Sequence, residues 1–293
     1  MDKEKILQAG KISAEVKKYA RSIIKKDVPL VKIANKIENK IIELGAKVAF
    51  PVNLSINEIA AHYTPSHNDE TLASGLIKVD IGVHIEGWVA DSAFSLDLEN
   101  NEKNKQIIKA AEDALEAASK TINSGVELRQ IGKAVQKAIE SHGLNPIVNL
   151  SGHSIEQYDL HSGVTIPNMD DGQTAEIKPG LYAIEPFATS GGGKVYDGAP
   201  SGIYVLIDNK NVRSPIAREV LAFIKKEYNT LPFSSRAIVN VLGTKSLIGL
   251  RELEKNRNLH SFAQLIESSK APVAQAENTF LVEEDNVIIT SKE

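Results

Sequence analysis

The chain has no cysteine among its 293 residues. Disulfides and thiolate ligands are therefore excluded, and any bound metal must be held by carboxylate and imidazole groups. Aromatic residues are sparse at 5%, and the single tryptophan, Trp88, reads as a packing residue rather than a ligand platform. No apolar run approaches the ~20 residues of a membrane span. The opening stretch MDKEKILQAGKISAEVKKYA is too charged for a secretory signal. A surplus of positive charge is missing too. Thirty-four basic against thirty-eight acidic residues leave a net charge of −4, which removes the reason to expect nucleic acid as a specific partner. The expectation is a cytoplasmic protein with one large domain or two modest ones.

What is present centres on residues 76–97, LIKVDIGVHIEGWVADSAFSLD. Ile77, Val79, Ile81, Val83 and Ile85 alternate with Lys78, Asp80, Gly82 and His84, the period of a half-buried strand. A second β-rich run from Trp88 to Leu96 follows Glu86-Gly87, so the segment predicts an antiparallel hairpin. It carries two carboxylates, Asp80 and Asp91. A turn centred on Ile85-Glu86 sets them directly opposite; one centred on Glu86-Gly87 sets Asp80 opposite Ala93, with Asp91 a diagonal step away. Both place the carboxylates on one face, whereas an odd loop would separate them. Adjacent carboxylates on one sheet face repel, and a hard divalent cation between them is the economical remedy. The bland alternative is one solvent-facing Asp and one turn Asp.

Helical spacing covers residues 3–25 and about 29–44, with Gly45 ending the second helix. A short strand and a loop bearing His62 precede the hairpin. The order then recurs: helices at about 101–122 and 127–142, followed by the strand segment VNLSGHSIEQYDLH. Helix, helix, sheet, twice over, predicts a duplicated α/β unit with a site between the halves. GLYAIEPF reads as a further strand. Residues 214–257 change to helical patterning, with Ser214-Pro215 as a helix start, before strands resume at Phe262–Ile266, Val273–Val282 and Val287–Thr290.

Glu185 and Glu277 each interrupt an apolar strand pattern, where an ionised carboxylate is costly unless paired or metal-bound. His153 follows Ser151-Gly152, whose glycine permits close backbone approach. Four carboxylates and one imidazole on sheet elements match a two-metal hydrolytic site. His62 and His161 lie in or beside loops. His67, His84, His142 and His260 read as bland loop, hairpin, helix-end and strand-start residues.

DIGVHIEGWVADSAF, NLSGHSI, AIEPF and AQAENT, in that order, resemble methionine aminopeptidase of type 2 over essentially the whole chain. The resemblance implies a pita-bread α/β (α+β) fold: one catalytic domain over 1–293, a pseudo-twofold helix-helix-sheet duplication, and an inserted helical subdomain at about 195–265. It implies two divalent ions (cobalt, manganese, iron or zinc) ligated by Asp80, Asp91, His153, Glu185 and Glu277, with Asp91 and Glu277 bridging both. His62 and His161 match the substrate-side histidines that assist the transition state. Glu185 would also shuttle the proton, and Phe50 and Leu160 would wall the methionine pocket. The implied activity is metal-dependent removal of the N-terminal methionine from nascent chains with a small second residue, by a monomer. A transient ribosome contact is compatible with it. Two departures accompany the match: Asn278 where the family usually has His, and Ala276 where it has an aromatic. The lack of a charged N-terminal extension points to an archaeal form. Proline dipeptidase or aminopeptidase P would share the fold and ligands, but those relatives usually carry a separate N-terminal domain.

Overall fold

In the computed structural model, which describes residues 1–293, two helix pairs each back a sheet. The first half comprises α1 (Lys3–Ile23), α2 (Leu30–Glu43), β1 (Lys47–Ile56), β2 (Ile59–Ala61), β3 (Leu76–Ile85) and β4 (Trp88–Asp97). The second begins with α3 (Glu102–Thr121), α4 (Leu128–Glu140), β5 (Asn145–Pro146), β6 (Ser151–Ile155) and β7 (Thr165–Pro167). It continues through β8 (Gly180–Ile184), β9 (Phe187–Thr189) and β10 (Val195–Leu206). Then come α5 (Pro215–Glu227), β11 (Phe233–Ser234), α6 (Ser235–Leu242), α7 (Ser246–Lys255) and β12 (Leu259–Glu267). β13 (Val273–Gln275), β14 (Asn278–Val282) and β15 (Val287–Ile289) finish the chain.

α1 starts at Asp2, whose side chain accepts from the Lys5 N–H, and α3 starts at Asn101 in the same way with Lys103. Their apolar faces set the two cores. Val16, Ala20, Ile33 and Ile37 pack on Val52, Ile77, Val79 and Ile81. Ile107, Ala111, Ile131 and Val135 pack on Tyr182, Ile184, Phe280 and Val282. The front sheet runs β1-β3-β4 and the other β15-β14-β8-β6-β7, both antiparallel throughout. They meet where β4 lies beside β14. Helix, helix, sheet recurs as expected, and the pita-bread fold is the architecture.

Three elements differ from the sequence expectation. Residues 195–206 form a twelve-residue strand paired with β12, so strands frame the helices of 215–255. Its exposed Asp197 and Pro200, with Gly198 between them, mask the alternation that would have marked it. Val273–Val282 is not one strand but two, broken at Ala276-Glu277. The strand in VNLSGHSIEQYDLH is confined to Ser151–Ile155 and ends before a turn in which Tyr158 takes φ 60°.

Candidate metal centre

Strand interiors deliver Asp80, Asp91 and His153, and strand ends or breaks deliver Glu185, Glu277 and His62. Ile85 pairs with Trp88, so the hairpin turn is Glu86-Gly87, both residues having positive φ (47° and 87°) as a tight two-residue turn requires. This selects the second register: Asp80 opposite Ala93 and Asp91 opposite Gly82, one diagonal step apart on a shared face. A Cβ on Gly82 would lie 2.4 Å from the Phe50 ring, so the glycine admits that ring against the strand. His153 pairs with Ala183 of β8. Beside it, a Cβ on Gly152 would come within 2.3 Å of the Ala183 carbonyl oxygen, confirming the close approach. Glu185 follows β8 directly.

Glu277 occupies the break between β13 and β14, and the break has a cause. The Glu277 N–H donates to the Ala93 carbonyl at 3.0 Å, and the Ala93 N–H donates back at 3.4 Å. Thr279 Oγ1 accepts from the Asp91 N–H (2.8 Å) and donates to the Asp91 carbonyl (2.7 Å). The two sheets are thus stitched at the point where Asp91 and Glu277 stand side by side.

One cavity of about 530 Å³, measured to its open mouth, is lined by all nine residues singled out from the sequence: Asp80, Asp91, His153, Glu185, Glu277, His62, His161, Phe50 and Leu160. Ligand atoms of Asp91, His153 and Glu277 lie within 4.8 Å of one another. His153 Nε2 is 3.6 Å from Asp91 Oδ2 and 4.0 Å from Glu185 Oε1. His161 sits at the mouth with its ring centroid 4.3 Å from that of His153. His62 follows β2 in a left-handed conformation (φ 65°), its Nδ1 3.3 Å from the Ala263 carbonyl oxygen. Such a backbone is uncommon outside glycine and recurs at functional sites.

The cavity is short of positive charge. Asp80 Oδ1, Asp91 Oδ1 and His153 Nδ1 are buried with no hydrogen-bond partner. Gln275 Nε2 divides its donation between Glu185 (3.4 Å) and Glu277 (3.3 Å), and no lysine or arginine makes an ion pair with any of the four acids. Burial pushes Asp91 up to about 7. Burial and then the neighbouring carboxylates raise Asp80, Glu185 and Glu277 well above the usual range. Burial holds His153 and His62 down at about 4, so both imidazoles are neutral near pH 7. Acceptor-only oxygens beside a neutral imidazole are the donor set of a hard or borderline divalent cation.

Sequence reasoning missed Asn53, Ala61, Ile203, Pro232 and Phe262 in the cavity wall. Asn53 carried a signal, as a polar residue inside an apolar strand. Ile203, Pro232 and Phe262 come from β10, the loop before β11, and β12, whose place in the wall depends on long-range pairing. His84 is buried, its Nδ1 accepting from the Gly87 N–H to close the hairpin turn.

This fold, with acids and an imidazole gathered at the seam of its two halves, defines a metallopeptidase. The family model of metallopeptidase family M24 matches residues 4–239, and the chain belongs to that family. It is 46% identical over 297 residues to a methionine aminopeptidase of Pyrococcus abyssi, covering all of both chains. Among solved structures, a thermophilic Arx1 superposes with TM-score 0.85 at 15% identity, over 99% of this chain and 90% of that one. A methionine aminopeptidase of Thermotoga maritima gives 0.72 at 21% identity, over 99% and 96%. These two likenesses speak for the fold alone. No helix is long and apolar enough to cross a membrane.

Proposed function

We propose that the protein is a type 2 methionine aminopeptidase that removes the initiator methionine from polypeptides with a small second residue. The observation that carries the proposal is the convergence of Asp80, Asp91, His153, Glu185 and Glu277 in one cavity whose buried oxygens lack donors. The helices of 215–255 between β10 and β12, and the 46% identical archaeal relative, support the type 2 form.

In this reading Asp80, Asp91, His153, Glu185 and Glu277 would hold two divalent ions. Ions held there would supply a water activated near neutral pH and a site for the free amine of the substrate. Glu185, beside His153 and reached by only one weak donor, takes the proton of the attacking water and passes it to the leaving nitrogen. His161, at the mouth, donates to the scissile carbonyl oxygen as it gains charge. His62, held neutral, contacts the scissile amide on the leaving side. Phe50 and Leu160 bound the apolar end that takes the methionine side chain. Size alone discriminates weakly there, since one methylene is worth about 1–3 kcal/mol.

The test is release of methionine from Met-Ala-Ser and Met-Gly-Met-Met after chelation and readdition of manganese, iron, cobalt or zinc, with Xaa-Pro peptides in parallel. Release restored by at least one ion supports the reading. Release with none, or cleavage of Xaa-Pro peptides alone, overturns it.

A further inference from the structure

β1 is irregular where it borders the cavity. Phe50 and Asn53 are three residues apart, so in a regular strand they would point to opposite faces. A register shift between them, at Pro51-Val52, turns both into the same cavity. Bulges of this kind re-aim side chains beside functional sites. Asn53 is 4% exposed and stands directly opposite Asp80. Its Nδ2 donates to the Pro51 carbonyl oxygen at 2.8 Å. A carbonyl oxygen can only accept, so that bond fixes which end of the amide is nitrogen. The Oδ1 is then a buried acceptor without a partner in the cavity wall.

Leaving such a group unpaired is costly, and no side chain of the protein supplies a donor. Asp80 cannot do so once ionised. A donor carried by the substrate would satisfy it directly. An N-terminal methionine brings few: its thioether and its carbonyl donate nothing, and its scissile N–H belongs to the leaving side. Only the free α-amine remains at the carboxylate end, where Asn53 faces Asp80.

We propose that Asn53 Oδ1 accepts a hydrogen bond from an N–H of the substrate's α-amine, making Asn53 a specificity-determining residue for unblocked N-termini. The inference rests on the methionine aminopeptidase reading and deepens it. An acylated amine would offer at most one N–H and would bring a carbonyl oxygen toward Asn53 and the carboxylates. Rejection of blocked N-termini therefore comes partly from this side chain.

The experiment is a binding cycle that needs no turnover. Manganese-loaded wild type and Asn53→Leu, which keeps the branched shape but removes the acceptor, are titrated calorimetrically with L-methionine and with 4-(methylthio)butanoate, which lacks the amine. Metal content and thermal unfolding are measured on both proteins. The expected result is methionine binding weakened roughly 10-fold in the variant, the amine-free acid unchanged, and metal stoichiometry intact. Equal loss for both ligands would make Asn53 merely structural, and loss of metal would make it a support of the ions; either result overturns the proposal. Asn53→Ala serves as the second variant if the leucine protein does not fold. Failure of wild type to release methionine from peptides would remove the aminopeptidase reading, while the methionine titration still decides the role of Asn53.

Discussion

At the scale of single residues, the cavity divides into groups that would hold ions and groups that would touch substrate, and His161 stands apart among them as exposed. Asp91, His153 and Glu277 are almost wholly buried, whereas His161 is exposed at the mouth. A group at the mouth can be removed without unravelling what lies beneath. His161→Ala is therefore expected to lower kcat/KM for Met-Ala-Ser by ~100–1,000-fold, as loss of an oxyanion donor does, with metal stoichiometry unchanged. Methionine release with parallel metal analysis checks this; a variant that also loses metal would place His161 among the ligands instead. The departure at Asn278 has a structural account. Its Oδ1 accepts from Lys17 Nζ and from Ser291 Oγ, both at 3.0 Å, so a polar network fills the space behind Glu277. Lys17 also places the one nearby cationic charge that favours ionised Glu277.

At the scale of elements, the site depends on close backbone approaches. Gly152→Ala drives a Cβ to 2.3 Å from the Ala183 carbonyl, and backbone cannot step aside as a side chain could. A loss of about 1–3 kcal/mol is expected, together with reduced metal occupancy because His153 is the next residue. Urea unfolding and metal analysis would show both; an unchanged midpoint would mean that β6 and β8 separate freely. The helices of 215–255 are tied to the site by Arg236. It is 1% exposed, pairs with Glu38, and donates to the Pro65 carbonyl at 2.9 Å. Glu38 in turn accepts from the Val52 N–H, next to Asn53. Arg236→Leu should cost about 3–5 kcal/mol, because it strands Glu38 with its partner gone. A thermal scan reads this directly, and a loss under 1 kcal/mol would dissolve the idea of a bolt between insertion and site.

Elements like these also show what the sequence could and could not disclose. The hairpin was legible because its apolar alternation and Glu86-Gly87 are local signals, and the four acids stood out because strands rarely contain them. The register of that hairpin stayed open until turn geometry chose it. β10 escaped notice because its partner, β12, lies some sixty residues away and its own pattern is interrupted. The break at Ala276-Glu277 was likewise invisible, being imposed by Ala93 on β4 rather than by anything in VAQAENTFLV.

At the scale of the whole molecule, the two halves meet through carboxylates that repel, and this makes stability depend on proton and cation together. In the metal-free chain, Asp91 titrates at about 7 and Asp80, Glu185 and Glu277 well above their usual range. The unfolded chain loses these protons near pH 4. Groups raised in this way stabilise the fold at low pH, and that contribution disappears as pH climbs through the folded value. Between pH 4 and 6.5 the buried histidines oppose the trend, being neutral when folded and protonated when unfolded. Above 6.5 they no longer contribute, but the amines of Lys17 and Lys78, lowered by burial, then oppose the carboxylates in the same way. The pH dependence of the chelated protein therefore sums contributions of both signs, and the carboxylate part is isolated by the difference that metal makes. Added manganese must displace the carboxylate protons, so its stabilising effect should grow from about pH 6.5 upward by about 1.4 kcal/mol per pH unit for each proton displaced. Thermal unfolding at several pH values above 6.5, with and without manganese at fixed excess, measures both slopes. A metal-induced rise in Tm that ignored pH would mean that the ions bind somewhere other than between these acids.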